Sequence, residues 1–309
     1  MEVRLPKWGL GDMLCALAAA RALARLHPGL RVHFNRIPKV VKAFGDNLIT
    51  PGLGLSLDIG HPDPPFFFWE QGQWSSSNYV DNYFLSLGIN FESPPRLELP
   101  KLPPFEALRG VKYIVLQPRA AGKWAYPHLS VNILQRVISF CPLPVVVTGC
   151  PGSGMGLRGI DCSYLGDEIN MLRLIQHATL VLAPRSAGAH VAAGYGVPSI
   201  IWLPDDQLNW HLDYPAWKVR KIPAISADVD VQIQKALYDM LMLTSPAIPT
   251  KYNPLITQSL FWIWSVKKNM SGVVRNLLRL LIRFSPKGVR KLLKKTFIYS
   301  LVRKVIPAE

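Results

Sequence analysis

The sequence predicts two doubly wound α/β domains facing a cleft, followed by a basic amphipathic helical tail. Three observations carry this. Short β-branched strands alternate with helical segments on both sides of a proline-rich connector, the alternation from which parallel sheets are built. Loops rich in glycine, alanine and cationic residues follow the strands whose carboxyl ends gather ligands in such sheets. Charge is also unevenly placed: residues 244–309 hold 13 Lys/Arg and a single acid, Glu309, whereas the other 243 residues carry 22 basic and 19 acidic side chains. The 309 residues are 49% apolar, which excludes a disordered chain and leaves room for two cores.

The elements follow in order. A strand over 3–5 leads into the turn Lys7-Trp8-Gly9-Leu10-Gly11, then Asp12 and an Ala/Leu-rich helix over 13–26. Arg21 and Arg25 share one face of that helix, Pro28-Gly29 stops it, and the apolar remainder predicts burial. Residues 31–35 read as a second strand, completing a parallel strand–helix–strand unit. An irregular region with Pro62, Pro64, Pro65 and Phe66-Phe67-Phe68-Trp69 precedes a helix expected over 79–87. Five prolines from Pro94 to Pro104 make a stiff connector and divide the chain into 1–100, 101–243 and 244–309. The second part predicts strands over 113–117, 144–148, 180–182 and 199–203, and helices over 131–140, 168–177, 188–195 and 228–242.

Cys15, Cys141, Cys150 and Cys162 lie far apart, with no CxxC and no Cys/His cluster at ligand spacing, and read as buried free thiols of a reducing compartment. The apolar stretch 13–20 follows a glycine turn rather than a basic segment, so no secretory signal is expected. No run of about 18 uncharged apolar residues occurs, so no membrane-spanning helix is expected.

Three motifs carry chemistry. Gly9-Leu10-Gly11-Asp12 combines glycines that let backbone approach a ligand with an aspartate at a helix start. Asp12 suits two compatible roles, N-cap and general base. Gln117-Pro118-Arg119-Ala120-Ala121-Gly122-Lys123-Trp124 follows the first strand of the second part, and its cations either meet an anionic phosphate or stay in solvent. Ala183-Pro184-Arg185-Ser186-Ala187-Gly188-Ala189-His190 opens a small-residue helix whose exposed amides suit a phosphate. His190 reads either as a core histidine or as part of that site. No convincing DxD metal motif occurs, and Asp205-Asp206 reads as surface charge.

In this order and separation the motifs resemble the GT-B glycosyltransferases of the heptosyltransferase type, glycosyltransferase family 9, across roughly residues 1–243. The family's GxGD turn looks like Gly9–Asp12, and its HPxxxV strand like His27-Pro28-Gly29-Leu30-Arg31-Val32. Its K-x-W-P loop is approximated by Lys123, Trp124 and Pro127, and its TGGPGE strand end by Thr148-Gly149-Cys150-Pro151-Gly152-Ser153. The most specific part is NDSGPxHxAxAxGxP, matched by Arg185 through Pro198. The resemblance implies inverting, metal-independent transfer of a heptose-like sugar from a nucleotide-sugar, ADP-heptose in that family, to lipopolysaccharide core or another lipid-linked saccharide. It implies Asp12 as the base, Gly11 among the donor-binding residues, Lys123 on the leaving diphosphate and the Ser186-Ala187-Gly188 backbone on the same phosphates. Thr148 and Gly149 would flank base and ribose, with Arg185 and His190 completing the donor site. Three departures stand out: Arg185 replaces the family's acid, which suits a different or more anionic donor or marks a degenerate site, Ala187 replaces a glycine, and the acid expected near Gly152–Ser153 is missing.

The tail places Arg275, Arg279 and Arg283 four residues apart in an apolar field, followed by Lys291, Lys294 and Lys295, with Trp262 and Trp264 upstream. Such a segment suits an anionic membrane surface, and the expected place is the cytoplasm, peripheral on the inner face. Packing on the body is a second reading. Nucleic acid is the weaker partner, because the apolar field is too wide for a phosphate-tracking surface. Two other functions remain open: a catalytically degenerate relative serving as a membrane-bound partner or scaffold, and transfer to protein or nucleic acid.

Overall fold

A computed structural model describes residues 2–4, 9–28, 31–34, 36–51, 56–58, 80, 83–84, 87, 89, 97–120, 128–154, 156–165, 167–204 and 218–244. Met1–Tyr252 form one compact unit. Lys123, Trp124, Pro127, Asp205 and Asp206 lie outside the described residues, as does the tail beyond residue 244 with Trp262, Trp264, Arg275, Arg279, Arg283, Lys291, Lys294 and Lys295.

Two parallel sheets organise the unit. In the first, β1 (Glu2–Arg4), α1 (Leu10–Leu26), β2 (Val32–Phe34), α2 (Pro38–Ala43), β3 (Ile49–Pro51) and β4 (Ser56–Asp58) give the strand order β3-β2-β1-β4. Glu2 stands opposite His33 on one side and Ser56 on the other, so β1 is central. The second contains β5 (Ile114–Leu116), α3 (Val131–Ser139), β6 (Val145–Val147), β7 (Ile160–Asp161), α4 (Glu168–Gln176), β8 (Leu180–Pro184), α5 (Ala187–Tyr195), β9 (Ser199–Leu203), β10 (Val219–Pro223) and α6 (Val229–Thr244). Its order is β10-β9-β8-β5-β6-β7. Counted from its own first strand, each sheet begins 3-2-1-4, the order that creates a ligand-binding crevice where the winding reverses, between first and fourth strands.

The strands follow from their composition. Ile114-Val115-Leu116 and Val145-Val146-Val147 are unbroken apolar runs, as strands covered on both faces require, and all six side chains are buried. Leu116, Val147, Leu182, Ile200 and Trp202 build the core with Leu134 and Val137 of α3 and Ile233 and Leu237 of α6. Ser130 caps α3, accepting from Ile133 N at 3.3 Å, and Asp167 caps α4, accepting from Ile169 N at 2.9 Å. α5 ends at Gly196, in the left-handed conformation that a side chain disfavours.

Several elements differ from expectation. α1 begins at Leu10, with Gly9 as its N-cap, so Asp12 lies in the first turn and is not the cap. The sequence reading misses α2, β3, β4, β7 and β10. β7 has two residues, held close to β6 because Gly159 has no room for a Cβ, which would stand 2.7 Å from Val147. β10 carries Arg220, Lys221 and Pro223, residues that an edge strand tolerates. Of the helix expected over 79–87, Val80, Tyr83 and Phe84 are described and helical. Cys15 and Cys162 are buried thiols and Cys141 is partly so, but Cys150 is exposed, contrary to the expectation for all four. Among the described residues no helix is long and apolar enough to cross a membrane, and no group of three or more His, Cys, Asp or Glu could hold a metal.

The proline-rich connector is a strap rather than a free spacer. Leu97, Leu102 and Phe105 are buried. Tyr195 Oη donates to Pro100 O at 2.7 Å, and Leu102 N donates to Gln176 Oε1 at 2.8 Å. Gly194 lets it lie flat on α5, since a Cβ there would stand 2.7 Å from Leu99 Cδ1. Its other anchor is Arg21, buried at 2% exposure. The Arg21 guanidinium lies 3.6 Å over the Phe44 ring and bonds Asp46 at 2.7 and 3.0 Å and Glu98 at 3.1 and 3.2 Å. Arg25 pairs with Glu98 as well. Hydrogen bonding to Arg21 holds the Asp46 carboxyl below the usual carboxylate range. Arg21→Leu strips both carboxylates of their buried partner and leaves α1 tied to the strap only through the more exposed Arg25–Glu98 pair among the charged contacts described; urea denaturation is expected to show a loss of about 2–3 kcal/mol. A loss under about 0.5 kcal/mol would contradict this account.

Candidate functional site

The first turns of α1 and α5 meet. A Cβ added to Gly11 would stand 3.2 Å from His190 Cδ2, 3.5 Å from Ala187 Cα and 3.7 Å from Ala187 N. A side chain here would be in van der Waals contact with the α5 backbone and would press on the His190 ring, so glycine eases the approach. The approach brings the positive ends of two helix dipoles together, a setting that favours an anion. It also joins the first and third motifs, remote in sequence, into one site.

Asp12 is half-buried there. Its Oδ1 accepts a hydrogen bond from Tyr83 Oη at 2.9 Å, and Tyr83 is itself 1% exposed. Its Oδ2 lies over Gly9, 3.2 Å from where a Cβ of that residue would be. The phenol therefore orients one carboxylate oxygen and leaves the other turned to the start of the helix. Tyr83 lies 71 residues from Asp12, and no sequence signal joins the two.

His190 is both a buried histidine and a neighbour of the site. Burial lowers its pKa from the ordinary 6.5 to about 4; the Asp12 carboxylate opposes that shift, and the Arg185 cation adds to it. The ring is neutral at pH 7. Arg185 directly follows β8 and is half-buried, near enough for its charge to act on that ring.

The second and third motifs are joined by Gln117, which directly follows β5. Gln117 Oε1 accepts from Ser186 Oγ at 2.9 Å and from Gly188 N at 3.1 Å, while Nε2 donates to Arg119 O at 3.1 Å. Ser186 is the N-cap of α5 but makes no cap bond with its own side chain. The Gly188 amide, expected to face a phosphate, is thus already bonded within the protein. Thr148, buried at the end of β6, donates its N–H to Leu116 O at 2.9 Å. Gly149 follows with φ +130°, and a Cβ there would stand 3.3 Å from Ser153 Oγ and 3.6 Å from Gln117 Cγ. The structure thus gathers Gly11, Asp12, Ala187 and His190 on one side and Gly149, Ser186 and Gly188 around Gln117 on the other.

No family model matches the sequence, and no curated protein sequence matches it. The fold is similar to solved structures of known class. The glycosyl transferase family 9 protein from Veillonella parvula superposes with a TM-score of 0.56 at 10% identity, over 78% of this chain and 96% of that one. The E. coli ADP-heptose lps heptosyltransferase II gives 0.53 at 14% identity, over 78% and 98%. The E. coli heptosyltransferase WaaC with ADP gives 0.51 at 11% identity, over 80% and 100%. These likenesses show the fold: mixed α/β with parallel sheets, similar to GT-B glycosyltransferases.

Because His190 takes up its proton more readily when unfolded, the unfolded chain binds more protons between pH 6.5 and about 4. Stability present above pH 6.5 is lost as pH falls through that window, by about 3 kcal/mol at about 1.4 kcal/mol per pH unit. Unfolding titrations at stepped pH should show this slope in the wild type and a flatter one in His190→Asn. Equal slopes would exclude His190 as its source.

Proposed function

We propose that the chain is an inverting, metal-independent glycosyltransferase that moves a heptose-like sugar from a nucleotide-sugar to a lipopolysaccharide core or other lipid-linked saccharide. The observation that carries this is the seating of the Asp12 turn against the first turn of α5, with Gly11 in contact with Ala187 and His190. It sets a carboxylate beside the positive ends of two helices, a base next to a place for a leaving anion. The fold shared with family 9 structures supports the same reading.

In the proposed reaction residues 1–100 hold the acceptor and residues 101–243 the donor. Asp12 takes the proton of the acceptor hydroxyl as its oxygen attacks the anomeric carbon from the face opposite the diphosphate. The bond from that carbon to the diphosphate oxygen breaks, the configuration inverts, and the nucleoside diphosphate leaves with the electron pair. Tyr83 fixes the carboxylate. The Ser186–Ala187 backbone and the α5 dipole hold the departing charge, Lys123 adds a cation, and Thr148 and Gly149 flank the nucleoside. Arg185, in the place of the family's acid, fits a donor sugar with anionic character. The basic tail brings this machinery to the inner membrane face, where a lipid-linked acceptor lies; each Lys or Arg near such a surface contributes about 1 kcal/mol.

Thermal unfolding with ADP, UDP, GDP and CDP in turn tests the donor site. One diphosphate at about 100 times its dissociation constant should stabilise the fold by about 2.7 kcal/mol, a shift of several degrees. A shift with none of them would favour the scaffold reading instead. Asp12→Asn should keep that shift and lose about a hundredfold or more in turnover, the usual scale of a general base; turnover near wild type would remove Asp12 from the mechanism. A chain ending at Tyr252 should keep the nucleotide shift and no longer sediment with phosphatidylglycerol vesicles. Equal sedimentation of both chains would take the membrane role away from the tail.

A further inference from the structure

We infer that Gln117 is a positioning residue of the donor site, a buried side chain that ties together the loops at the carboxyl ends of β5, β6 and β8. The inference rests on the proposed donor site and adds to it a residue that touches no reacting atom. Three observations carry it. One carboxamide makes three hydrogen bonds, accepting from Ser186 Oγ and Gly188 N of the β8 loop and donating to Arg119 O of the β5 loop. Its Cγ lies against Gly149 of the β6 loop, 3.6 Å from where a Cβ would be. It is also 5% exposed, so it stands beneath these loops rather than among groups that meet a ligand.

The chemistry of the amide matters. Only a side chain with both an acceptor and a donor at one end can join the three partners, and a buried partner left unbonded is costly. Gly188 answers the same constraint, because a Cβ there would overlap Gln117 Oε1. The Ser186 hydroxyl, which usually caps its own helix, turns instead to Gln117, and the carboxamide caps the second amide of α5 from a neighbouring strand. With that inner amide bonded, the shape of the outer Ser186–Ala187 backbone is set before any anion arrives. A preorganised site of this kind binds more tightly than one that must order itself.

The test uses the full chain and whichever of ADP, UDP, GDP or CDP stabilises the wild type, by titration calorimetry well below the melting temperature. Gln117→Leu keeps volume and removes all three bonds; the dissociation constant should rise about tenfold to a hundredfold. Leu134→Ala, a core change in α3 that also lowers stability, should bind as the wild type does, which separates positioning from general weakening. Gln117→Glu keeps both accepted bonds but sets a carboxylate oxygen against Arg119 O, and should weaken the diphosphate more than the parent nucleoside. It decides the matter if Gln117→Leu does not fold. Wild-type affinity in whichever of the two folds, or equal weakening by Leu134→Ala, overturns this inference alone. A wild type that binds no nucleotide overturns it together with the donor site.

Discussion

The approach of Gly11 to Ala187 is the constraint on which the rest of the site depends. Two helices that begin beside each other at this separation favour small residues at the point of contact, where a Cβ on Gly11 would press on the His190 ring at 3.2 Å. The separation puts Asp12 one residue away from the first turn of α5. It also buries His190 beneath α1, where desolvation keeps the ring uncharged. A neutral ring at that position adds no cation; among the described residues Arg185 and the helix dipoles contribute positive field there. Small residues at the start of both helices are thus an electrostatic choice as much as a steric one.

Holding two sheets in that relation takes further ties, and the strap supplies them. Residues 97–105 lie on α4 and α5 through Gln176, Tyr195 and Gly194, while Glu98 reaches Arg21 and Arg25 of α1. Arg21 is an ion-pair hub with its cation under cover and its carboxylates partly in water, and burial costs both the cation and Glu98, which their mutual hydrogen bonds offset. Stacking on Phe44 offsets part of that cost. Lys39 of α2 meets Asp167 at the start of α4, a second and more exposed tie between the layers.

Much of this was legible in the sequence. Unbroken apolar runs such as Val145-Val146-Val147 identify buried parallel strands, because few other structures tolerate three β-branched residues covered on both faces. The glycine turn and the small-residue helix were equally plain, since glycine and alanine there make poor core and good approaches. What stayed hidden depends on distance in the chain. Tyr83 and Asp12 have no shared spacing, and nothing beyond the face it shares with Arg25 indicates that Arg21 is buried by pairing with Asp46 and Glu98. The strands β7 and β10 are edge elements, where burial is too slight to impose a pattern. The helix starts three residues earlier than the sequence suggests, because Leu10 and Gly11 read as loop while Gly9 takes the cap; Asp12 therefore stands in the first turn.

The capping of α5 by Gln117 also bears on the order in which the chain acquires structure. A nine-residue helix with two glycines has little stability of its own. Its amide cap comes from a residue 71 positions earlier, so that bond forms only after β5 and β8 lie side by side. The first turn of α5 is therefore a late event, following a long loop closure rather than local nucleation. A first turn whose cap is supplied from a neighbouring strand can be completed only once the sheet beneath it is in place.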